Sequence, residues 1–303
     1  MSAPGGGPFG PGVLDAPGRF LGAEGPDAYA DAGVVLLGLP LDTTTTFRPG
    51  ARFGPSAIRE ASIGLETYSP VLDAELAPGE LCDLGDVAMP FGNAAASLRA
   101  IRAAAERVWQ DHKFLVGLGG EHLATLPLVE AAAAAVPGLE VVHLDAHADL
   151  RQDYLGERLS HASVMRRVAE VVGPERIWQF GIRSGTREEF RLARHLFPDL
   201  DALAKCLAAL AERPLYLSVD IDVADPAFAP GTGTPEPGGP TAREVLDAVR
   251  AVATERLVAM DVMEVSPGLD PSGRTAILAA KLVREAVLAR RGGGREGGGR
   301  GVG

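Results

Sequence analysis

The sequence predicts an α/β chain built on a mostly parallel sheet covered by helices. Three observations predict it. Short apolar, β-branched runs alternate with longer Ala-, Leu-, Arg- and Glu-rich segments of helical period; no internal repeat breaks that rhythm; and the chemically loaded residues fall just after the short runs. With 303 residues, 46% of them hydrophobic, the chain can build one large core, and a single domain is expected.

In chain order, residues 1 to 27 are rich in Gly, Pro and Ala and are expected to form an arm that buries little. The runs that read as strands are Gly33–Leu39, Leu81–Val87, Phe114–Leu118, Leu139–Leu144, Arg176–Ile182, Leu215–Val219 and Arg256–Val262. Helical patterns occupy Pro55–Ala61, Ala94–Gln110, Leu123–Ala135, Ala162–Val172, Arg187–Leu196, Leu200–Ala211, Ala242–Thr254 and Thr275–Ala289. Pro55 suits a first helical position, and Pro240-Thr241 leads into a capped turn. Residues 292 to 303 are glycine-dominated and read as a tail.

Composition narrows the function classes. Lys and Arg number 29 against 40 Asp and Glu, a formal charge of −11, so no electrostatic footprint for nucleic acid or anionic lipid is present. A small cationic substrate fits that balance. Cys82 and Cys206 stand far apart, in neither a metal nor a redox spacing, which argues for a reducing compartment. The start of the chain lacks the pattern of a signal peptide, and no apolar run approaches a membrane span, so a cytoplasmic protein is expected.

Ligands of such sheets bind beyond the carboxyl ends of the strands. There, Val141-Val142-His143-Leu144-Asp145-Ala146-His147-Ala148-Asp149 leaves an apolar strand and sets Asp145, His147 and Asp149 at alternate positions, on one side of an extended chain. Such groups repel and desolvate one another unless a cation lies among them. Asp220 and Asp222 share a face at the end of a second apolar strand, and the turn Gly119-Gly120-Glu121-His122 delivers His122 after a third. That turn lacks the third glycine of a dinucleotide fingerprint and the Gly-Lys-Ser/Thr of a phosphate loop. Four carboxylates and two imidazoles match two divalent ions with shared aspartates and room for a bridging hydroxide, and the thiolate-free donor set favours Mn²⁺ over Zn²⁺.

Further residues have candidate roles. His161, at a helix start, can move a proton; Glu264, ending the strand Arg256–Val262, can accept two N–H bonds from a guanidinium; Thr234, on a glycine-rich loop, can contact substrate. Asp261, His112 and His195 read as structural, and His143 as a residue lining the site from behind.

Together these segments resemble the ureohydrolase family of arginases, agmatinases and related guanidino or formimino hydrolases, from about Gly33 to Ala289. The motifs are Gly-Gly-Glu-His at 119–122, Asp-Ala-His-Ala-Asp at 145–149, Ser-Val-Asp-Ile-Asp-Val-Ala-Asp-Pro at 218–226 with Gly-Thr-Gly-Thr-Pro at 231–235, and Met-Asp-Val-Met-Glu-Val-Ser-Pro at 260–267. The resemblance implies a three-layer αβα sandwich assembled as trimers or hexamers. It implies two manganese ions per subunit, one held by His122 and Asp149 with Asp145 and Asp220 shared, the other completed by His147 and Asp222. It also implies proton shuttling by His161 and guanidinium contacts from Glu264 and Thr234.

Within the family, the stretches 46–55, 64–70 and 180–185 are similar to those of bacterial agmatinases, which implies hydrolysis of agmatine to putrescine and urea. Arginases carry an Asn near the position of Arg151. An Arg there can receive a distal carboxylate, which keeps guanidinobutyrate and guanidinopropionate open as substrates. A silent metal-binding scaffold is the rival from another class, and the intact six ligand positions and His161 argue against it.

Overall fold

The structure, a computed structural model, describes residues 12–14, 18–90, 92–210 and 212–292. Most of the expected N-terminal arm, the glycine-rich tail from 293 onward and the last residue of the predicted helix 200–211 lie outside the described residues.

The strands are β1 (Val13–Leu14), β2 (Val34–Leu39), β3 (Tyr68–Ser69), β4 (Ala74–Glu75), β5 (Leu81–Val87), β6 (Phe114–Gly119), β7 (Glu140–Leu144), β8 (Ile177–Phe180), β9 (His195–Phe197), β10 (Leu215–Asp220) and β11 (Leu257–Met263). All but β3 and β4, which pair with each other, form one nine-stranded sheet in the order β1-β5-β2-β6-β11-β10-β7-β8-β9. Every pairing in it is parallel except that of the edge strand β1 with β5.

The helices are α1 (Gly54–Ser62), α2 (Ala94–Gln110), α3 (Thr125–Ala135), α4 (Val164–Val172), α5 (Arg187–Leu192), α6 (Leu203–Ala209), α7 (Ala242–Val252) and α8 (Arg274–Gly292). Strand side chains alternate between faces, so each strand feeds two cores. Val34 and Leu36 of β2 join the core under α1, α6, α7 and α8, whereas Val35, Leu37 and Leu39 join the one under α2, α3 and α4. The result is a three-layer αβα sandwich. Because the central strands are covered on both faces, they read as continuous apolar runs rather than alternating ones.

Several boundaries differ from the sequence reading for identifiable reasons. The predicted helix Arg187–Leu196 ends at Leu192, and His195–Phe197 becomes the edge strand β9. In that register His195 stacks on Trp178 at 3.7 Å and Phe197 on Phe180 at 4.9 Å, cross-strand pairs that a helix could not make. The predicted helices Leu123–Ala135 and Ala162–Val172 both open with a tight 3₁₀ turn, His122–Ala124 and His161–Ser163, so that each histidine leads its helix. The part of the arm from residue 18 packs after all: Phe20 is fully buried, its N–H donates to Asp83 at 3.0 Å, and the Leu21 N–H donates to Ser62 at 2.9 Å.

Beneath this segment lies a buried ion cluster. The Arg59 side chain of α1 is 1% exposed and reaches Asp83 of β5 through two bonds of 2.8 and 2.9 Å, and Asp86 at 2.6 Å. Removing one partner strands a desolvated charge. Asp83→Ala is therefore expected to lower the unfolding free energy by ~3–5 kcal/mol in urea denaturation; a loss below ~1 kcal/mol would mean that Asp86 alone satisfies the guanidinium.

Candidate metal centre and active site

The site sits at the carboxyl edge of the four central strands. Parallel register aligns His143, Ser218, Asp261 and Gly117 in one row across β7, β10, β11 and β6. This row is a buried polar layer inside an otherwise apolar sheet. Tyr216 donates to Asp261 at 2.5 Å, the Ser218 hydroxyl donates to the other Asp261 oxygen at 2.7 Å, and His122 Nε2 lies 2.9 Å from Ser218 Oγ. Since the Ser218 proton is spent on a carboxylate, Ser218 accepts from His122 Nε2–H. In the neutral ring, the form that binds a metal, the relay leaves His122 Nδ1 as the nitrogen with the lone pair.

Nδ1 faces three carboxylates, Asp145 and Asp220 two residues beyond the polar row and Asp149 in the loop that follows β7. Nδ1 is 3.1 Å from Asp145 Oδ2, 3.3 Å from Asp149 Oδ2 and 3.2 Å from Asp220 Oδ2. It is buried and has no hydrogen-bond partner. Four acceptors converge on one point, which is the donor arrangement of a cation site. A second group adjoins it, sharing Asp145: His147 Nδ1 is 2.9 Å from Asp222 Oδ2 and 3.5 Å from Asp145 Oδ1. These three side chains offer ligand atoms within 4.8 Å of one another. Two ionised carboxylates at that separation repel by roughly 3–4 kcal/mol at an effective dielectric of ~20.

The protonation balance shows the same demand for positive charge. Burial and the charges of Asp222 and Asp145 push Asp220 well above the ordinary carboxylate range, and burial with the Asp145 charge raises Asp222. Burial disfavours the His122 imidazolium, but three carboxylates outweigh it and hold its pKa well above the ordinary value. The shell fits divalent metal chemically: it has two imidazoles, four carboxylates and no thiolate.

His143 lies close enough to count as a donor, yet its ring is already committed. Gln179 Nε2 donates to the Ala148 carbonyl at 2.7 Å and to His143 Nδ1 at 3.0 Å, so His143 Nε2–H donates to Asp145 Oδ2 at 2.8 Å. It orients a ligand rather than being one.

Above this centre opens a cavity of ≈ 280 Å³ whose walls include His147, Asp149, Arg151, Tyr154, His161, Glu189, Thr234 and Glu264. Glu264 accepts the His122 N–H at 2.7 Å, and its own N–H donates to the Gly120 carbonyl at 2.8 Å. Burial and the neighbouring Glu121 charge raise its pKa to about 8. Asp149 and Glu264 both adopt left-handed backbone, φ 53° and 65°, a strain that non-glycine residues carry mostly at turns and functional sites. At Gly120 a side chain is impossible, because a Cβ would run into the Leu41 carbonyl. Thr234 donates to Asp222 Oδ2 at 3.3 Å.

His161 Nδ1 lies 3.0 Å from the Thr44 carbonyl, which only accepts, so Nδ1 carries the proton and Nε2 the lone pair. Burial lowers the pKa of this ring, keeping it neutral near pH 7.

The structure therefore brings His122, Asp145, His147, Asp149, Asp220 and Asp222 into one shell and sets His161, Thr234 and Glu264 on the cavity wall above it. Sequence reasoning missed Ser218, Gln179 and Thr44. Ser218 left a signal, since it precedes Asp220 by two residues and shares its strand face. Gln179 and Thr44 left none, because their partners come from other strands and loops.

A doubly covered parallel sheet with imidazoles and carboxylates gathered at its carboxyl edge, beneath a small polar cavity, is the build of a metal-dependent hydrolase. Residues 32–289 match the profile of the arginase family, and the chain belongs to that family. Agmatinase of Bacillus cereus is 47% identical over 269 residues, 86% of this chain and 93% of the relative. Agmatinase of Bacillus subtilis is 45% identical over 279 residues, 89% and 96% of the two chains. The crystal structure of agmatine ureohydrolase of Thermoplasma volcanium matches with a TM-score of 0.80 at 33% identity, covering 87% of this chain and 92% of that one.

Two substitutions test the centre. Asp145→Asn, which removes the carboxylate shared by both groups, is expected to abolish stable binding of divalent metal, read by metal analysis after gel filtration. Ser218→Ala, which touches no metal position but frees the His122 ring, is expected to weaken binding ~10–100-fold in calorimetric titration; unchanged affinity would show that the ring needs no relay.

Proposed function

We propose that this protein hydrolyses agmatine to putrescine and urea with two manganese ions per subunit. The observation that carries the reading is the convergence of three carboxylate oxygens on the buried Nδ1 of His122. The oxygen-rich, thiolate-free donor set suits manganese, and divalent metal there lowers the pKa of water from ~15.7 towards ~7.

The remaining chemistry belongs to the chain. A guanidinium is planar, and the Glu264 carboxylate at the cavity wall accepts its N–H groups in parallel. Docking a cation beside Glu264 also offsets the burial that raises its pKa to about 8, so the carboxylate is anionic when substrate is bound. Thr234, held by Asp222, contacts the same group. The water oxygen bonds to the guanidino carbon, the bond to the alkyl nitrogen breaks, and urea forms. His161, neutral with Nδ1–H fixed, accepts the proton of the attacking water at Nε2 and returns it to the departing amine.

The distal end of the substrate separates agmatine from guanidino acids. Arg151 lines the cavity, but its guanidinium lies over the Tyr154 ring at 4.7 Å and 3.8 Å from the buried Glu189 carboxylate. With its charge already answered, Arg151 offers a carboxylate little, and an amine end fits the acidic wall. Putrescine as product assigns the protein to polyamine formation. The two free, buried cysteines and the acidic charge suit the cytoplasm, and no helix among the described residues is long and apolar enough to cross a membrane. A homo-oligomer, trimer or hexamer, is the expected assembly by family likeness.

Purified protein with manganese is expected to release urea from agmatine faster than from arginine or 4-guanidinobutyrate; the reverse order would reassign the substrate within the family. His161→Asn is expected to keep its metal while kcat falls ~10²–10⁴-fold, and an undiminished kcat would remove His161 from the mechanism.

A further inference from the structure

We propose that Thr44 and Glu121 are positioning residues for His161: the buried Glu121 carboxylate clamps the Thr44-Thr45 turn, and Thr44 in turn fixes both the place and the tautomer of the imidazole. The proposal rests on the reading of His161 as the proton carrier.

The observations form one chain of contacts. Glu121 is 0% exposed and gathers four hydrogen bonds from the turn. The Thr44 N–H lies 2.9 and 3.2 Å from its two oxygens, the Thr44 hydroxyl donates at 2.9 Å, and the Thr45 hydroxyl donates at 3.2 Å. Because the Thr44 hydroxyl proton is committed to Glu121, its oxygen is free to accept, and it accepts the His161 N–H at 3.1 Å. The Thr44 carbonyl takes the Nδ1–H at 3.0 Å. One residue therefore grips His161 at its backbone and at its ring. A carbonyl cannot donate, so this grip excludes the tautomer that would place a proton on Nε2 of the neutral ring.

Glu121 has the character of a retained functional group rather than a stabilising one. Among the described residues no Lys, Arg or His forms an ion pair with it, and its carboxylate oxygens are taken up by the Thr44 and Thr45 donors. A buried carboxylate without an ion-pair partner costs stability that an apolar side chain of similar size would not. What the carboxylate uniquely supplies is acceptor capacity for several donors of one short turn. The turn precedes Thr46 and Phe47, which line the cavity, so it also lies where a loose loop would disturb the reacting geometry.

The test uses the manganese-loaded enzyme and four variants, with metal content measured beside kcat and KM for agmatine. Thr44→Val, which removes the hydroxyl while keeping the shape, and Glu121→Gln are expected to lower kcat ~10–100-fold with KM changed less than ~3-fold and metal content intact. Thr44→Ser, which keeps the hydroxyl, is expected to recover most of the rate lost in Thr44→Val. Thr44→Val added to His161→Asn is expected to cost nothing beyond His161→Asn alone, because the clamp has then nothing to hold. Full kcat in Thr44→Val, an effect confined to KM, additive losses in the double variant, or metal loss in Glu121→Gln each overturns the proposal. Full kcat in His161→Asn overturns instead the reading on which it rests.

Discussion

Mutual repulsion among carboxylates is the constraint from which the rest of this structure follows. Four aspartates at the ends of two neighbouring strands, β7 and β10, cannot all stay ionised in a desolvated crevice, and the upward shifts of Asp220 and Asp222 show the strain. The fold holds them together nonetheless, because each backbone leaves the sheet at the same edge and oxygens of Asp145, Asp220 and Asp222 are fixed by hydrogen bonds from main chain or imidazole. The Asp222 N–H binds Asp220 at 2.8 Å, and the Ala146 N–H binds Asp222 at 3.1 Å. Charge of opposite sign is what this arrangement is built to receive.

The polar layer one row beneath makes that reception specific. In most doubly covered parallel sheets the central strands are apolar throughout. Here His143, Ser218 and Asp261 interrupt the core at one level, and each is spent on orienting a group above it. Asp261 acts through Ser218 on His122, and Gln179 acts through His143 on Asp145. Their burial costs free energy, which the completed hydrogen-bond network offsets only when every member is present.

Above the metal shell, the cavity wall is assembled from loops of different origin. His161 leads a helix and is held by a turn that follows β2; Glu264 follows β11 in a left-handed conformation; Thr234 sits beyond β10. Their convergence sets an imidazole and a buried carboxylate on one cavity wall, which is the geometry that the proposed proton transfer and guanidinium recognition require.

The layered fold and six of the charged groups were legible in the chain itself. Apolar runs of strand length between helical patterns dictate a covered parallel sheet, and Asp145, His147 and Asp149, spaced by two, must share a side wherever the chain is extended. Local chemistry also announced the capped start at Thr241, which the structure completes with Glu244. What the linear order did not contain was anything that depends on which strand lies beside which. The edge strand β9 exists because Trp178 and Phe180 offer ring faces to His195 and Phe197; Phe20 is buried because Asp83 and Ser62 await its segment; Gln179 and Thr44 matter because a neighbouring strand and a distant turn place them against His143 and His161. Periodicity and residue type are properties of the local backbone and survive in one dimension. Register, tautomer and the meeting of loops are set by packing across the sheet, and only the folded chain decides them.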